Sequence, residues 1–293
     1  MHVLITGGTG FIGSSLVPAL MAQGHNATVL SRNPAASIAG AETVTSLAAI
    51  GDEARIDAII NLAGASLADK RWSITYKRQI VDSRIDTTRA IGELVTRLQH
   101  KPTTLISGSA IGYYGACGDE PLDETSAAGE GFAAVLCQDW EAAGSAISDV
   151  ERTVLLRLGV VLDSGGGALT EMARPFRIGV ANYIGSGHQF LSWIHREDVV
   201  AAIIYALENP SISGPVNLTA PHPVTSLGFC AAMKKRTRTM ITLPMPSAVM
   251  RLMVGEMADE LLSVGQRVLP AKLQSEGFQF RYPHIDAALE ASL

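Results

Sequence analysis

The chain has 293 residues, 47% of them hydrophobic but only 5% aromatic, with 28 glycines, a charged fraction of 17% and a net charge of −5. So aliphatic and lightly charged a composition excludes disorder and suits strands buried on both faces beneath helices, while the negative balance argues against a nucleic-acid surface. The mean hydropathy of +0.22 reflects burial and no membrane span is expected, because the longest apolar run, Val199 to Leu207, falls far short of the ~20 residues that cross a bilayer.

Met1-His2 runs directly into Val3-Leu4-Ile5, which leaves no basic region, hydrophobic stretch and cleavage site, so a cytoplasmic protein is expected. Short aliphatic runs then alternate with helical stretches in a βαβ rhythm. Strands are predicted near 2–6, 27–31, 41–45, 57–62, 103–108 and 153–158, with helices near 11–23, 72–99 and 130–148. Pro102 closes the long second helix by denying it a backbone donor. From Ser164 the pattern changes. Gly165-Gly166-Gly167 breaks the chain, a helical stretch reaches about Ile178, and a polar loop follows at Ile184-Gly185-Ser186-Gly187-His188. A helix near 197–208 and a strand near 215–218 return to the main sheet. Residues 224–293 finish in short helices separated by Pro244, Pro246, Pro270 and Pro283. The expected division is a dinucleotide-binding Rossmann domain over 1–163 and a smaller substrate-side lobe over 164–293. Cys117, Cys137 and Cys230 stand apart with neither a CxxC nor a nearby histidine pair, so no disulfide framework and no metal site is expected.

Thr6-Gly7-Gly8-Thr9-Gly10-Phe11-Ile12-Gly13 follows the first strand and opens the first helix, which sets a GxxGxxG run at Gly7, Gly10 and Gly13. The first glycine permits the tight turn, the second lets backbone approach a pyrophosphate, and the third lets helix pack on strand while N-terminal amides face the anion. Thr9, Phe11 and Ile12 are therefore cofactor contacts along with the glycines. The second strand ends in Ser31-Arg32-Asn33, where an NAD site usually carries a carboxylate for the ribose 2′-hydroxyl. A guanidinium and a hydroxyl there match a 2′-phosphate, so the predicted cofactor is NADP(H).

With Asp57-Ala58-Ile59-Ile60-Asn61-Leu62-Ala63-Gly64 and Ser107-Gly108-Ser109-Ala110, the chain resembles the extended short-chain dehydrogenase/reductase superfamily. Four further motifs bring it nearer to the NAD(P)-dependent epimerase/dehydratase-like "epimerase family protein" subgroup. They are Ala68-Asp69-Lys70-Arg71-Trp72, Ser109-Ala110-Ile111-Gly112-Tyr113-Tyr114-Gly115, Gly185-Ser186-Gly187-His188-Gln189 and Trp193-Ile194-His195. The tail over about 243–289 is similar to that subgroup's C-terminal domain of unknown function. The resemblance implies that Leu62, Ala63 and Gly64 line the adenosine and pyrophosphate side of the cofactor. It further implies that Gln79 and Arg84 face the cofactor, that Val160 and Val161 lie near the nicotinamide, and that the helices near 72–99 and 130–148 form a homodimer.

The resemblance also implies a serine on strand five and a Tyr-x-x-x-Lys acid/base pair on the following helix. Ser109 matches the serine. Where the pair belongs the chain reads Ala133-Ala134-Val135-Leu136-Cys137, and no lysine stands between Lys101 and Lys234. Without the lysine, a tyrosine keeps its proton at neutral pH. Tyr113 and Tyr114, which follow Ser109 closely, and His195 are the substitute proton donors, with Tyr113 and His195 preferred, and a second role for His195, capping a helix with Asp198 nearby, stays open. Cys137 reads as an inert core thiol. Gln189 offers an amide to a substrate, and Trp193 a flat face for a sugar or base. The reading is an NADP(H)-binding, epimerase-like oxidoreductase for a small, nucleotide-sugar-like substrate, with simple reduction favoured over epimerisation. A sensor that binds NADPH without turnover is the alternative.

Overall fold

The computed structural model describes residues 1–33 and 38–293. β1 (His2–Thr6) leads into α1 (Gly13–Ala22), β2 (Asn26–Leu30) and β3 (Glu42–Val44). Next come β4 (Ala58–Asn61), α2 (Ile74–Arg97), β5 (Thr104–Ala110), the short β6 (Pro121–Leu122), α3 (Phe132–Ser145) and β7 (Arg152–Leu158). Beyond them lie β8 (Val160–Leu162), α4 (Gly167–Arg177), β9 (Val180–Ile184), β10 (Phe190–Leu191), β11 (Trp193–His195), α5 (Arg196–Glu208) and β12 (Gly214–Leu218).

Seven strands form one parallel sheet in the order β12-β7-β5-β4-β1-β2-β3. Its strands feed both faces. Val3 and Ile5 of β1 pack with Leu16, Val17 and Leu20 of α1 and with Val199 and Ile203 of α5. Leu4 points the other way, to Ile91, Leu94 and Val95 of α2. This is a doubly wound Rossmann-type sheet. Strand order reverses between β1 and β4, and in such sheets ligands bind in the crevice beyond the carboxyl ends at the reversal. Gly7–Gly13 and Leu62–Gly64 both emerge there.

A second cluster holds the smaller lobe together. Leu169, Ala173 and Phe176 of α4 pack with Trp193, with Phe229 and Met233 of the helix Ser226–Arg236, and with Leu289 of the helix Ile285–Ser292. The lobe's small strands were not foreseen. β8 pairs with β11, and β9 pairs in parallel with Ile241–Met245, so Pro244 stands between the helices Ser226–Arg236 and Ser247–Val254 but inside an edge strand. Pro102 does not end α2 either. Leu98, 1% exposed, turns out of the helix into the core, and the Lys101 ammonium takes the freed carbonyls of Val95 and Thr96. At the other end the Ser73 hydroxyl accepts the Tyr76 N–H at 3.1 Å, a cap worth about 1 kcal/mol. Among the described residues no helix is long and apolar enough to cross a membrane.

Candidate functional site

The glycine turn is built as its spacing demands. Gly7 has φ +71°, and a Cβ there would lie 2.5 Å from the Leu62 carbonyl oxygen. One at Gly13 would lie 2.3 Å from the Gly7 oxygen, whereas one at Gly10 would meet only that oxygen, at 3.1 Å. No side chain caps α1. Among the described residues, the N–H groups of Phe11, Ile12 and Gly13 bond no protein acceptor. A run of free donors at a helix N-terminus is an anion cradle, so these residues fit a dinucleotide diphosphate. Thr9 and Gly10 are exposed beside them.

Asn61 fixes the facing edge. Its Oδ1 accepts the Thr6 hydroxyl at 2.6 Å and its Nδ2 donates to Thr88 at 2.9 Å, which brings Leu62 and Ala63 against Gly7. Gly64 adjoins Arg84, whose guanidinium carbon would be 3.0 Å from a Cβ there. Arg84 donates to the carbonyls of Ala65 and Ile80 and lies 5.1 Å from the Trp140 ring centroid. Gln79, nearer the start of α2, is exposed. The Ser31 hydroxyl closes its own turn, bonding both N–H and C=O of Asn33, while Arg32 is exposed at the strand end. Val160 packs into the lobe cluster and Val161 into the main one, so consecutive side chains of β8 do not share a face.

The three candidate catalytic residues are not equivalent. Ser109, 1% exposed, donates to Glu141 at 2.7 Å. Glu141 in turn accepts two bonds from Arg157, at 2.8 and 2.9 Å. Arg157 donates to the Tyr114 hydroxyl, which donates to Asn217. Burial pushes the Tyr114 phenol up to about 12. Ser109 is thus spent inside a buried network rather than turned to a substrate. His195 is also committed. Its Nδ1 accepts the Glu197 N–H at 3.2 Å, which caps α5 and leaves the proton on Nε2. Among the described residues that nitrogen is buried without a hydrogen-bond partner, 4.0 Å from Asp163 Oδ1, and burial lowers the imidazole's pKa. Tyr113 differs. It is half-buried, its ring lies 3.5 Å from the Arg157 guanidinium carbon, and among the described residues its hydroxyl makes no hydrogen bond.

The lobe residues are committed as well. Trp193 is fully buried, and its indole N–H donates to the His222 carbonyl at 3.2 Å, so no flat face is offered to a sugar or base. The Gln189 amide nitrogen donates to the Ile184 carbonyl at 2.7 Å, which leaves its oxygen available. In the lysine's slot Cys137 is buried, and desolvation raises its thiol to about 11. Sequence reasoning missed Glu141, Arg157, Asn217, Asp163 and Arg196. The first three belong to three separate elements and carry no motif. Glu141 was visible only as a charge on an otherwise apolar helix face.

The profile of the NAD dependent epimerase/dehydratase family matches residues 3–218, and that of DUF1731, a domain of unknown function, matches residues 245–292. "Epimerase family protein Mb2239" of Mycobacterium bovis is 40% identical over 299 residues, spanning 98% of this chain and 96% of that protein. The structure of the human epimerase family protein SDR39U1 (isoform2) with NADPH is 36% identical at a TM-score of 0.89, covering 100% of this chain and 99% of the human one. MoeE5 in complex with UDP-glucuronic acid and NAD shares the fold at a TM-score of 0.78 and 19% identity, over 100% of this chain and 97% of that one. A parallel Rossmann sheet, an intact diphosphate cradle and two profiles that together span most of the sequence converge: the chain belongs to the NAD dependent epimerase/dehydratase family, among its epimerase family proteins with a C-terminal DUF1731 domain.

Proposed function

We propose that this protein is an NADP(H)-dependent reductase of a small carbonyl substrate, with Tyr113 as the proton donor. One observation carries the choice: of Ser109, His195 and Tyr113, only Tyr113, which is half-buried, has its proton-bearing group free of hydrogen bonds to the described residues and of burial. NADPH, when bound, supplies the hydride. Phe11, Ile12 and Gly13 bind its diphosphate, Arg32 its 2′-phosphate, and Leu62, Ala63 and Gly64 border its adenosine half. Arg84 and Gln79 on α2 would hold the cofactor further along, and of the β8 pair Val160 and Val161, whose side chains face opposite ways, one valine at most would meet the nicotinamide. Tyr113 hands its proton to the oxygen of the reduced carbonyl, while Arg157 beneath the ring, locked by Glu141 and Ser109, fixes where that hydroxyl stands. The smaller lobe after residue 164, apart from α5 and β12, which return to the main sheet, closes the substrate side, where the Gln189 oxygen remains as an acceptor. Reduction needs one proton donor. A reversible epimerase cycle needs a base for the opposite step, and the chain holds no Tyr-x-x-x-Lys pair to supply it.

NADPH is favoured over NADH by the guanidinium at Arg32, by the absence of a carboxylate at Ser31-Arg32-Asn33, and by the NADPH in the human relative's structure. Fluorescence titration is expected to show NADPH binding at least about tenfold tighter than NADH, with Arg32→Ala removing the difference. Equal wild-type affinities contradict the cofactor reading. One further observation favours a second reading: the acid/base slot holds a thiol that burial keeps protonated. If NADPH binds tightly and no member of a carbonyl panel drives its oxidation, the protein is a sensor of the NADPH/NADP⁺ ratio.

A further inference from the structure

Phe11 lies inside the phosphate turn, and the rest of the molecule grips that turn through it. Its ring faces Gly166 and Gly167, where added Cβ atoms would lie 2.9 and 2.7 Å from ring carbons, so only glycine permits the approach. Over the ring stands the Arg196 guanidinium, 4.8 Å from the centroid. Its Nη1 donates to the Phe11 carbonyl at 3.3 Å, and its Nη2 pairs with Asp163 Oδ2 at 2.6 Å. Asp163, 8% exposed, is itself fixed by the Ser164 N–H at 2.6 Å. The Ser14 hydroxyl also donates to the Phe11 carbonyl, at 3.3 Å.

The consequence follows from peptide geometry. The carbonyl of Phe11 and the N–H of Ile12 belong to one planar trans peptide and point in opposite directions. Two donors that hold the carbonyl on one side turn the Ile12 N–H, which has no protein acceptor, to the other. We propose that Arg196, braced by Asp163, is a positioning residue for the cofactor diphosphate: it sets the Phe11–Ile12 peptide so that the Ile12 N–H meets a phosphate oxygen. It does so from the first turn of α5, beyond the glycine motif. Arg196 also places a positive charge behind that peptide, which strengthens the dipole facing the anion. This inference rests on the dinucleotide reading of the turn.

The test compares three ligands on the full chain by calorimetry: NADPH, ADP-ribose, which has the diphosphate but no 2′-phosphate, and 2′-AMP, which has the reverse. Arg196→Ala is expected to weaken NADPH and ADP-ribose each about tenfold while 2′-AMP stays within about twofold. Arg196→Lys, a point charge that reaches one partner instead of two, is expected to fall between wild type and Arg196→Ala. A parallel loss of all three ligands means that Arg196 acts only through overall stability, and unchanged ADP-ribose affinity means that it does not set the peptide; either result overturns the proposal. Wild-type protein that binds ADP-ribose but not 2′-AMP contradicts the NADP reading, and the ADP-ribose series still decides Arg196.

Discussion

Ser109 and Glu141 occupy one network but predict different losses. Glu141→Ala strands the Arg157 guanidinium, 2% exposed, without its carboxylate, which costs about 3–5 kcal/mol and should read out as a large drop in denaturant midpoint. Ser109→Ala deletes one donor to a carboxylate that keeps its two arginine bonds, at about 1 kcal/mol, and should leave NADPH affinity and the pH–rate profile unmoved. A pH profile displaced by Ser109→Ala would return the serine to the chemistry. His195 makes a pH prediction. Burial holds its folded pKa below the ordinary 6.5, so the unfolded chain binds the proton more readily. Stability is complete above about pH 6.5 and falls as pH drops from there toward the folded pKa. His195→Asn keeps a capping oxygen and is expected to flatten that acid limb in urea titrations between about pH 5 and 7. An unchanged limb would assign the acid sensitivity to another group.

Along the elements, sheet and phosphate turn were legible because both rest on short-range rules. Aliphatic runs of four to six residues located the main-sheet strands to within a residue or two, and glycine spacing located the turn. The lobe was less legible. β8 through β11 are strands of two to five residues paired across long sequence separations, and Pro244 in an edge strand is stereochemically harmless yet reads as a breaker. The end of α2 was misplaced for a related reason, since a buried leucine and a distant ammonium stopped the helix before Pro102 could. Site residues divided in the same way. Gly7, Gly10 and Gly13 declare themselves by spacing. Ser109 matches a motif, but its partners Glu141 and Arg157 come from α3 and β7, so only the fold reveals that its hydroxyl is taken. Trp193 suited a binding face by residue type, and its burial came from the Ser226–Arg236 and Ile285–Ser292 helices packing around it.

For the whole molecule, the helix pair α2 and α3 is where a four-helix homodimer would form. Its outer face is polar. Arg78 pairs with Asp82 and Arg89 with Asp86 along the same helix, and Ile74 and Val135 are the only large exposed apolar side chains on the two helices. Such a face lacks the apolar core of an obligate interface of about 800 Å² per partner. A monomer of 30.9 kDa is therefore expected by light scattering at micromolar concentration, and a dimer that Val135→Glu disrupts would contradict it. The central functional claim is tested by measuring NADPH binding and NADPH oxidation with a carbonyl panel on the same preparations of wild type, Ser109→Ala and Tyr113→Phe. The expected result is that Tyr113→Phe keeps its NADPH affinity within about twofold and loses at least about a hundredfold in turnover, while Ser109→Ala keeps both. Full turnover in Tyr113→Phe would contradict the assignment of the proton to Tyr113.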